Sequence, residues 1–179
     1  DDAQIRLYLE RGYGIIGREK ITDGLTIVTR KNAYHPVRDY LDSLSWDGVG
    51  RLDTLFIDLF GAPDTEYTRA VTRKAFAAAV SRIYTPGCKY DYVLVLVGEQ
   101  GIGKSTVFAR MGGDWFSDSM PELKDQKALE AVQGSWIIEL GELDGLRRVD
   151  VNSVKHFVSK REDRFRVAYG KRVEHFPRR

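Results

Sequence analysis

Gly98-Glu99-Gln100-Gly101-Ile102-Gly103-Lys104-Ser105 is the stretch that decides the fold of this chain, and it directly follows the apolar run Tyr92 to Val97. An apolar run leading into this spacing of glycines predicts a buried strand followed by a phosphate-binding loop. Glycine adopts backbone angles closed to other residues, so several amides of the loop can point at one anion. A helix from Thr106 would direct its positive end at the same anion. The stretch therefore predicts an α/β protein that binds a nucleotide.

Each position of this Walker A pattern, G-x-x-x-x-G-K-[ST], has an expected role. Lys104 would reach the β- and γ-phosphates of ATP, and Ser105 would be a ligand of Mg²⁺. A chance match, and a loop that keeps its shape but has lost turnover, are the alternatives. The residues that we expect to bind nucleotide are Gly98, Glu99, Gln100, Gly101, Ile102, Gly103, Lys104, Ser105 and Thr106.

A second apolar run, Ser135 to Glu142, is predicted to be a strand that ends in acid. In P-loop ATPases the neighbouring strand carries, at its C-terminal end, carboxylates that hold Mg²⁺ and activate the attacking water. Glu142 is best placed for that work, and a solvated glutamate at a strand end is the alternative. An unpaired carboxylate is costly to bury in mid-strand, so we expect Glu139 to point at the site or at a cation.

Before the loop, apolar residues recur at helical spacing and predict a series of helices. Residues 1–30 are harder to interpret: a short helix broken by glycines is expected first, and then a segment compatible with helix or strand. We expect residues 1–86 to form a small helical domain and residues 87–179 to form the nucleotide-binding core. The segments with the clearest helical spacing are 36–44, 52–59 and 65–84.

Composition excludes several classes of protein. Hydrophobic residues make up 42% and aromatic residues 11% of the chain, which is enough for a core. The longest apolar run is far shorter than the roughly 20 residues of a membrane span, and no signal-peptide pattern is present, so we expect a cytoplasmic protein with no membrane partner. The single cysteine excludes an internal disulfide framework.

The net charge of +2 hides an asymmetry, because residues 147–179 contain 11 Lys or Arg and only 4 Asp or Glu. Such a block is typical of a solvated face or of contact with a polyanion. Within it, a turn at Gly170-Lys171 predicts a hairpin that pairs Phe165 with Phe176, Val167 with Glu174 and Tyr169 with Arg172. Cations beside an aromatic ring suit a single nucleic-acid strand, but a hairpin that only faces solvent fits the spacing equally well.

Six residue strings, spread over nearly the whole chain, converge on one resemblance. They are His35-Pro36-Val37-Arg38-Asp39-Tyr40-Leu41, Trp46-Asp47-Gly48, Pro86-Gly87-Cys88-Lys89, Gly101-Ile102-Gly103-Lys104-Ser105-Thr106, Trp136-Ile137-Ile138-Glu139-Leu140-Gly141-Glu142-Leu143, and the tract from Arg161-Glu162-Asp163-Arg164 through Tyr169-Gly170-Lys171-Arg172 to Pro177-Arg178-Arg179. Together they resemble the virulence-associated protein E family. That family resembles the phage and poxvirus primase-helicase ATPases of helicase superfamily 3, which phages, prophages and mobile elements encode.

The resemblance implies a ring-forming AAA+-type ATPase, hexameric in the full-length protein, that uses ATP and Mg²⁺ to move on single-stranded DNA during replication in a bacterial host. It leaves open a fused primase domain or a primase partner. It implies catalytic roles for Lys104, Glu139 and Glu142, with Ser105 and Glu142 as Mg²⁺ ligands. The DNA-facing residues that it implies lie on the hairpin and are Arg164, Arg166, Tyr169, Lys171 and Arg172.

Two departures from the family pattern limit these assignments. Many relatives in the wider superfamily carry two adjacent acids where this chain has Gly141-Glu142, so the choice of base between Glu139 and Glu142 stays open. The family continues past the position of Arg179 into a strand that ends in a polar residue, usually Asn, and then into elements with an arginine finger. We therefore expect an incomplete core.

The predicted fold class is α/β: an N-terminal helical domain followed by an incomplete P-loop ATPase core, similar to AAA+ and superfamily 3 helicases, with a C-terminal β-hairpin. The predicted function is that of an ATP-dependent DNA helicase or translocase from a phage or mobile-element replication system. The alternative is a fragment that binds nucleotide or DNA but does not cycle.

Overall fold

The computed structural model describes residues 2–120, 126–141, 151–166 and 173–178. Helices and strands are mixed along these ranges, as an α/β protein requires. The chain divides into two compact units, Asp1–Asp42 and Ser43–Arg179. The domain boundary expected after residue 86 stays a prediction.

The first unit is helical, with α1 at Asp2–Tyr13, α2 at Arg18–Lys31 and all but the last residue of α3, which begins at Pro36 and ends at Ser43. The segment whose sequence is compatible with either a helix or a strand, residues 21–29, lies inside α2. Threonine hydroxyls on α2 donate to carbonyls one turn earlier, so the β-branched residues are accommodated in a helix: Thr22 to Arg18 at 2.8 Å and Thr26 to Thr22 at 2.8 Å.

The second unit opens with two helices that pack together, α4 at Leu55–Phe60 and α5 at Glu66–Tyr84. The hydroxyl of Thr65 accepts a hydrogen bond from the backbone N–H of Thr68 at 3.1 Å, which caps the start of α5. The rings of Phe56 and Phe76 lie 5.7 Å apart and join the two helices. Both helices were expected from their apolar spacing, although α4 is shorter than predicted.

The remaining described elements are helices, one 3₁₀ turn and short strands. A parallel pair of strands places Phe116 opposite Ile137, and an antiparallel pair forms a hairpin. In chain order the elements are α6 at Lys104–Gly112, a 3₁₀ turn at Gly113–Trp115, β1 at Phe116–Ser117, α7 at Gln126–Gln133, β2 at Ile137–Ile138, α8 at Val151–Ser159, β3 at Glu162–Phe165 and β4 at Glu174–Pro177. No helix in the described ranges is long and apolar enough to cross a membrane.

The two strands predicted beside the glycine-rich stretch differ from expectation. Residues 92–97 pair with no strand in the described part of the chain, and Tyr92 and Val97 are 74% and 89% exposed. Leu94 and Leu96 are half-buried between exposed neighbours. Burial therefore alternates from residue to residue as in an extended chain, but this segment makes no strand pairing within the described residues. The prediction of a buried strand there is wrong. Of the strand expected from Ser135 to Glu142, the described residues 135–141 contain β2 at Ile137–Ile138, which pairs with β1, and Glu142 lies outside the described residues.

The two strands expected for the hairpin are present and paired, but the predicted register is wrong by two residues, and the expected turn at Gly170-Lys171 lies outside the described residues. Phe165 lies opposite Glu174, and Asp163 lies opposite Phe176. A shift of two keeps every side chain on its predicted face, and the rings of Phe165 and Phe176 still stack with centroids 4.6 Å apart. The pairing continues past the strands, where the N–H of Arg178 donates to the carbonyl of Arg161 at 3.0 Å.

Exposed arginine–aspartate pairs surround the start of the second unit. Two hydrogen bonds from Arg73 bind Asp53, one of them at 2.7 Å, and hold the pKa of Asp53 below its ordinary value. Hydrogen bonds from Arg51 and from Arg69 lower the pKa of their partner carboxyls in the same way, Asp47 and Asp64 respectively.

These pairs predict an acid-dependent loss of stability. A carboxyl whose pKa is lower in the folded chain than in the unfolded chain stabilises the fold above the unfolded value of about 3.9, and that contribution disappears as the pH falls through the folded value. We expect the free energy of unfolding, measured by urea titration, to fall steeply below about pH 4. Arg73→Gln should reduce the slope of the free energy of unfolding against pH. Lys74→Gln removes an equal charge from the next exposed residue and should leave that slope unchanged. Equal slopes for the two variants would contradict the assignment.

Candidate functional site

The glycine-rich stretch Gly98 to Ser105 forms a loop that ends at the first residue of α6. Gly101 and Gly103 both have φ of 89°, a left-handed conformation that other residues rarely adopt. Gly103 is the residue that precedes the helix, so Lys104 begins α6. Apart from the adjacent residues of the chain, no described heavy atom lies within 4 Å of the position that a Cβ would occupy on Gly101 or Gly103. The backbone of the loop therefore borders open space at the helix N-terminus.

Lys104 folds back onto this loop. Its Nζ atom donates to the carbonyl oxygen of Gly98 at 2.9 Å and to that of Glu99 at 2.6 Å. Both acceptors are neutral, and a charged phosphate oxygen makes a stronger hydrogen bond with an ammonium group than a carbonyl does. The ammonium group is thus held at the loop by bonds that an anion can replace.

Ser105 and Glu139 lie in direct contact, although they are distant in sequence. The hydroxyl of Ser105 donates to Oε1 of Glu139 at 2.6 Å. Glu139 follows β2 directly and is half-buried, and its side chain points at the start of α6. A hydroxyl and a carboxylate side by side are hard oxygen ligands of the kind that Mg²⁺ prefers, so this pair fits that cation.

Two sets of contacts hold this pair in place. The N–H of Glu139 donates to the carbonyl of Ser117 at 2.8 Å, which fixes Glu139 against β1. The indole N–H of Trp136 donates to the carbonyl of Ala79 at 3.1 Å and ties β2 to α5. On α6, the ring of Phe108 stacks on that of Phe76 with centroids 6.1 Å apart. The helix and the strand that carry the pair are therefore both anchored on α5.

A groove of about 600 Å³ separates the extended segment 92–96 from β2 and opens beside Lys104 and Ser105. Its walls are mostly apolar, and Lys104, Ser105 and Glu139 are among its polar lining residues. Among its lining residues are Leu94, Leu96, Lys104, Ser105, Ile137 and Leu140.

The expected DNA-facing residues are described only in part. Arg164 and Arg166 are exposed on the hairpin. Arg164 is already bound to Glu162, its Nε donating to Oε1 at 2.8 Å, so an anion would have to compete with that carboxylate. Tyr169, Lys171 and Arg172 lie outside the described residues, as does the expected catalytic acid Glu142, so their roles stay predictions.

One deeply buried charged pair within the described residues was not anticipated from the sequence. Arg178 binds both carboxylate oxygens of Asp163, at 2.8 and 2.9 Å, and the two side chains are only 4% and 0% exposed. The guanidinium also donates to the carbonyl of Phe157 and lies 4.2 Å from the centre of its ring. One signal was available in the sequence: Asp163 lies two residues before Phe165, so both side chains lie on the same, buried face of β3.

A glycine-rich loop that opens a helix, beside a carboxylate at the end of a strand, defines an α/β protein with a candidate polyphosphate site. The chain belongs to the family of proteins with a virulence-associated protein E-like domain, whose family model matches residues 41–179. This confirms the family that the residue strings indicated. No curated protein matches the chain.

Proposed function

We propose that this chain is the ATPase part of a DNA helicase or translocase from a phage or mobile-element replication system, with a P-loop core that hydrolyses ATP to move on single-stranded DNA. Membership of the virulence-associated protein E-like family supports the association with replication. A homo-oligomeric ring and a primase partner belong to the same proposal, since the family resemblance implies them.

The observation that carries the proposal is the contact between Ser105 and Glu139 beside Lys104. Gly98 and Lys104 belong to one short motif, but Glu139 comes from another strand, and it meets the hydroxyl of Ser105 at 2.6 Å. This brings an ammonium group, a hydroxyl and a carboxylate to the N-terminus of one helix. The three groups together suit a nucleotide with its cation better than they suit a free phosphate.

In the proposed reaction, Lys104 leaves the carbonyls of Gly98 and Glu99 and binds the β- and γ-phosphates. Ser105 and Glu139 would hold Mg²⁺, and Glu142 would join them as expected from the sequence. When bound, Mg²⁺ neutralises charge that develops on the phosphate oxygens. Glu139 or Glu142 orients the water and accepts its proton as the water oxygen attacks the γ-phosphorus in line, and ADP leaves with the electrons of the broken P–O bond.

ATP turnover with and without single-stranded DNA tests the proposal. We expect Mg²⁺-dependent release of phosphate that an unstructured oligodeoxythymidine stimulates. Binding of ATP without turnover under either condition would favour the alternative, a module that holds nucleotide but does not cycle. Absence of ATP binding in calorimetry would refute both.

Charge reversal on the hairpin tests the DNA interface. In the double variant Lys171→Glu with Arg172→Glu we expect at least about tenfold weaker binding to fluorescein-labelled oligodeoxythymidine. The slope of log affinity against log salt should fall by about 0.7 for each phosphate that the variant no longer neutralises. The matched control reverses the exposed pair Arg30 and Lys31 at the end of α2. An affinity that survives the hairpin reversal unchanged would remove these residues from the interface.

A further inference from the structure

We propose that Trp136 is a positioning residue whose bond to α5 fixes the distance between Ser105 and Glu139, and that this distance makes the site select Mg²⁺ over Ca²⁺. Phe108 has the same role on α6. This inference rests on the proposed function, because it assigns a cation to the pair, and it adds what sets the choice of cation.

The separation of the two side chains is close to the one that a small octahedral cation requires. The hydroxyl of Ser105 and Oε1 of Glu139 lie 2.6 Å apart. Neighbouring oxygens of an octahedral Mg²⁺ site, each about 2.1 Å from the metal, lie about 2.9 Å apart, so a widening of about 0.3 Å is enough. Ca²⁺ forms longer bonds in a more variable geometry, and its binding therefore depends less on one fixed separation.

The strand that carries Glu139 has little stiffness of its own. Strands β1 and β2 pair over two residues, and the N–H of Trp136 and that of Glu139 donate to the carbonyls of Trp115 and Ser117, both at 2.8 Å. A strand pair this short is at best marginally stable by itself. Contacts outside the pair are therefore needed to hold Glu139 at its distance from α6.

Trp136 makes such a contact three residues before Glu139. Its indole N–H donates to the carbonyl of Ala79 at 3.1 Å, and both residues line the groove. Ala79 belongs to α5, the 19-residue helix that ends at Tyr84. The half-buried ring and its directed bond together restrain β2 against this long helix.

Phe108 restrains the other ligand, since it lies three residues after Ser105 on α6. Its ring stacks on that of Phe76, with centroids 6.1 Å apart, and lies 6.4 Å from that of Phe56. Phe76 and Ala79 are three residues apart on α5 and so share one face of that helix. One face of α5 thus holds the helix and the strand that carry the two ligands, and so sets their separation.

The test measures binding of a non-hydrolysable ATP analogue by calorimetry, so the readout does not depend on turnover. The metal factor is the dissociation constant in EDTA divided by that at a saturating concentration of the metal. We expect a larger factor with Mg²⁺ than with Ca²⁺ in the unmodified chain. In Trp136→Phe, which keeps a ring but lacks the N–H, the Mg²⁺ factor should fall by about fivefold or more and the Ca²⁺ factor by less than about twofold. Phe108→Leu should act in the same direction from α6.

Two further variants separate positioning from a general loosening of the fold. Trp46→Phe is the matched control, because its indole N–H also donates to a backbone carbonyl at 3.1 Å, that of Val49, in an exposed turn. It should leave both metal factors unchanged. In a Glu139→Gln chain, adding Trp136→Phe should lower the Mg²⁺ factor no further, because the carboxylate that Trp136 positions is already gone.

Undiminished Mg²⁺ factors in Trp136→Phe and Phe108→Leu would overturn the positioning role while leaving the proposed function intact. Equal falls with the two metals, a further fall in the Glu139→Gln chain, or no preference for Mg²⁺ in the unmodified chain would overturn it as well. Where a thermal melt shows one of the two variants to be unfolded, the other decides. Failure of the unmodified chain to bind the analogue with either metal or in EDTA would overturn the proposed function and the positioning role with it.

Discussion

Lys104→Ala is expected to abolish ATP turnover, with a loss of at least about 10²- to 10³-fold in kcat, because the variant lacks the only side chain of the motif that brings a positive charge to the phosphates. The described contacts of the ammonium group are to the carbonyls of Gly98 and Glu99 in an exposed loop. Their removal should leave the core untouched, so the temperature of unfolding should change little. Phosphate release under saturating ATP and a thermal melt measure the two effects.

Lys127→Ala is the matched control, since it removes the same side chain from an exposed position on α7. It should retain the turnover of the unmodified chain. Ordinary turnover in Lys104→Ala would show that the catalytic site lies elsewhere, and a collapse of the melt would show that the lysine is structural.

Asp163→Ala is expected to cause the largest loss of stability, about 3–5 kcal/mol, because it leaves the guanidinium of Arg178 buried without its carboxylate. Asp163 is fully buried and receives two hydrogen bonds from Arg178, at 2.8 and 2.9 Å. Since most domains are stable by only about 5–15 kcal/mol, such a loss would be a large part of the total. The midpoint and slope of urea unfolding measure it.

The adjacent pair on the same strand provides the control. Glu162 binds Arg164 at the surface, where water screens the charges and competes for the hydrogen bonds. Glu162→Ala should therefore cost far less than Asp163→Ala. The double variant Asp163→Leu with Arg178→Met should recover much of the loss, because apolar side chains need no partner there. Equal costs for the two alanine variants would contradict the importance of the buried pair.

The helices were predicted from the sequence more accurately than the strands. The periodic apolar residues of α5 and the turn residues that bound it place its ends within a residue of the structure, Glu66–Tyr84. Helix α2 was left undecided because its threonines favour strands on their own. The hydroxyls of these threonines donate hydrogen bonds to carbonyls one turn earlier in the helix. Secondary-structure propensity alone does not account for these bonds.

Strands were predicted less well, because a strand requires a partner that the local sequence does not specify. Residues 92–97 are as apolar as a central strand, yet a groove separates them from β2. In the hairpin, the spacing placed the correct side chains on the buried face but not opposite the correct partners. The bond from Arg178 to Arg161 and the pair of Arg178 with Asp163 select the observed register.

For the candidate site, the amino-acid order alone was enough to predict a glycine-rich loop leading into a helix, although α6 begins at Lys104 and not at the expected Thr106, because loop and helix are formed by residues close together in the chain. Only the packing of distant segments brought Ser105 to Glu139, 34 residues away, and Asp163 to Arg178, 15 residues away. The physical reason is the distance along the chain over which each effect acts. Backbone angles and helical spacing depend on residues a few positions apart. Hydrogen bonds between side chains distant in sequence form only after the elements that carry them have packed.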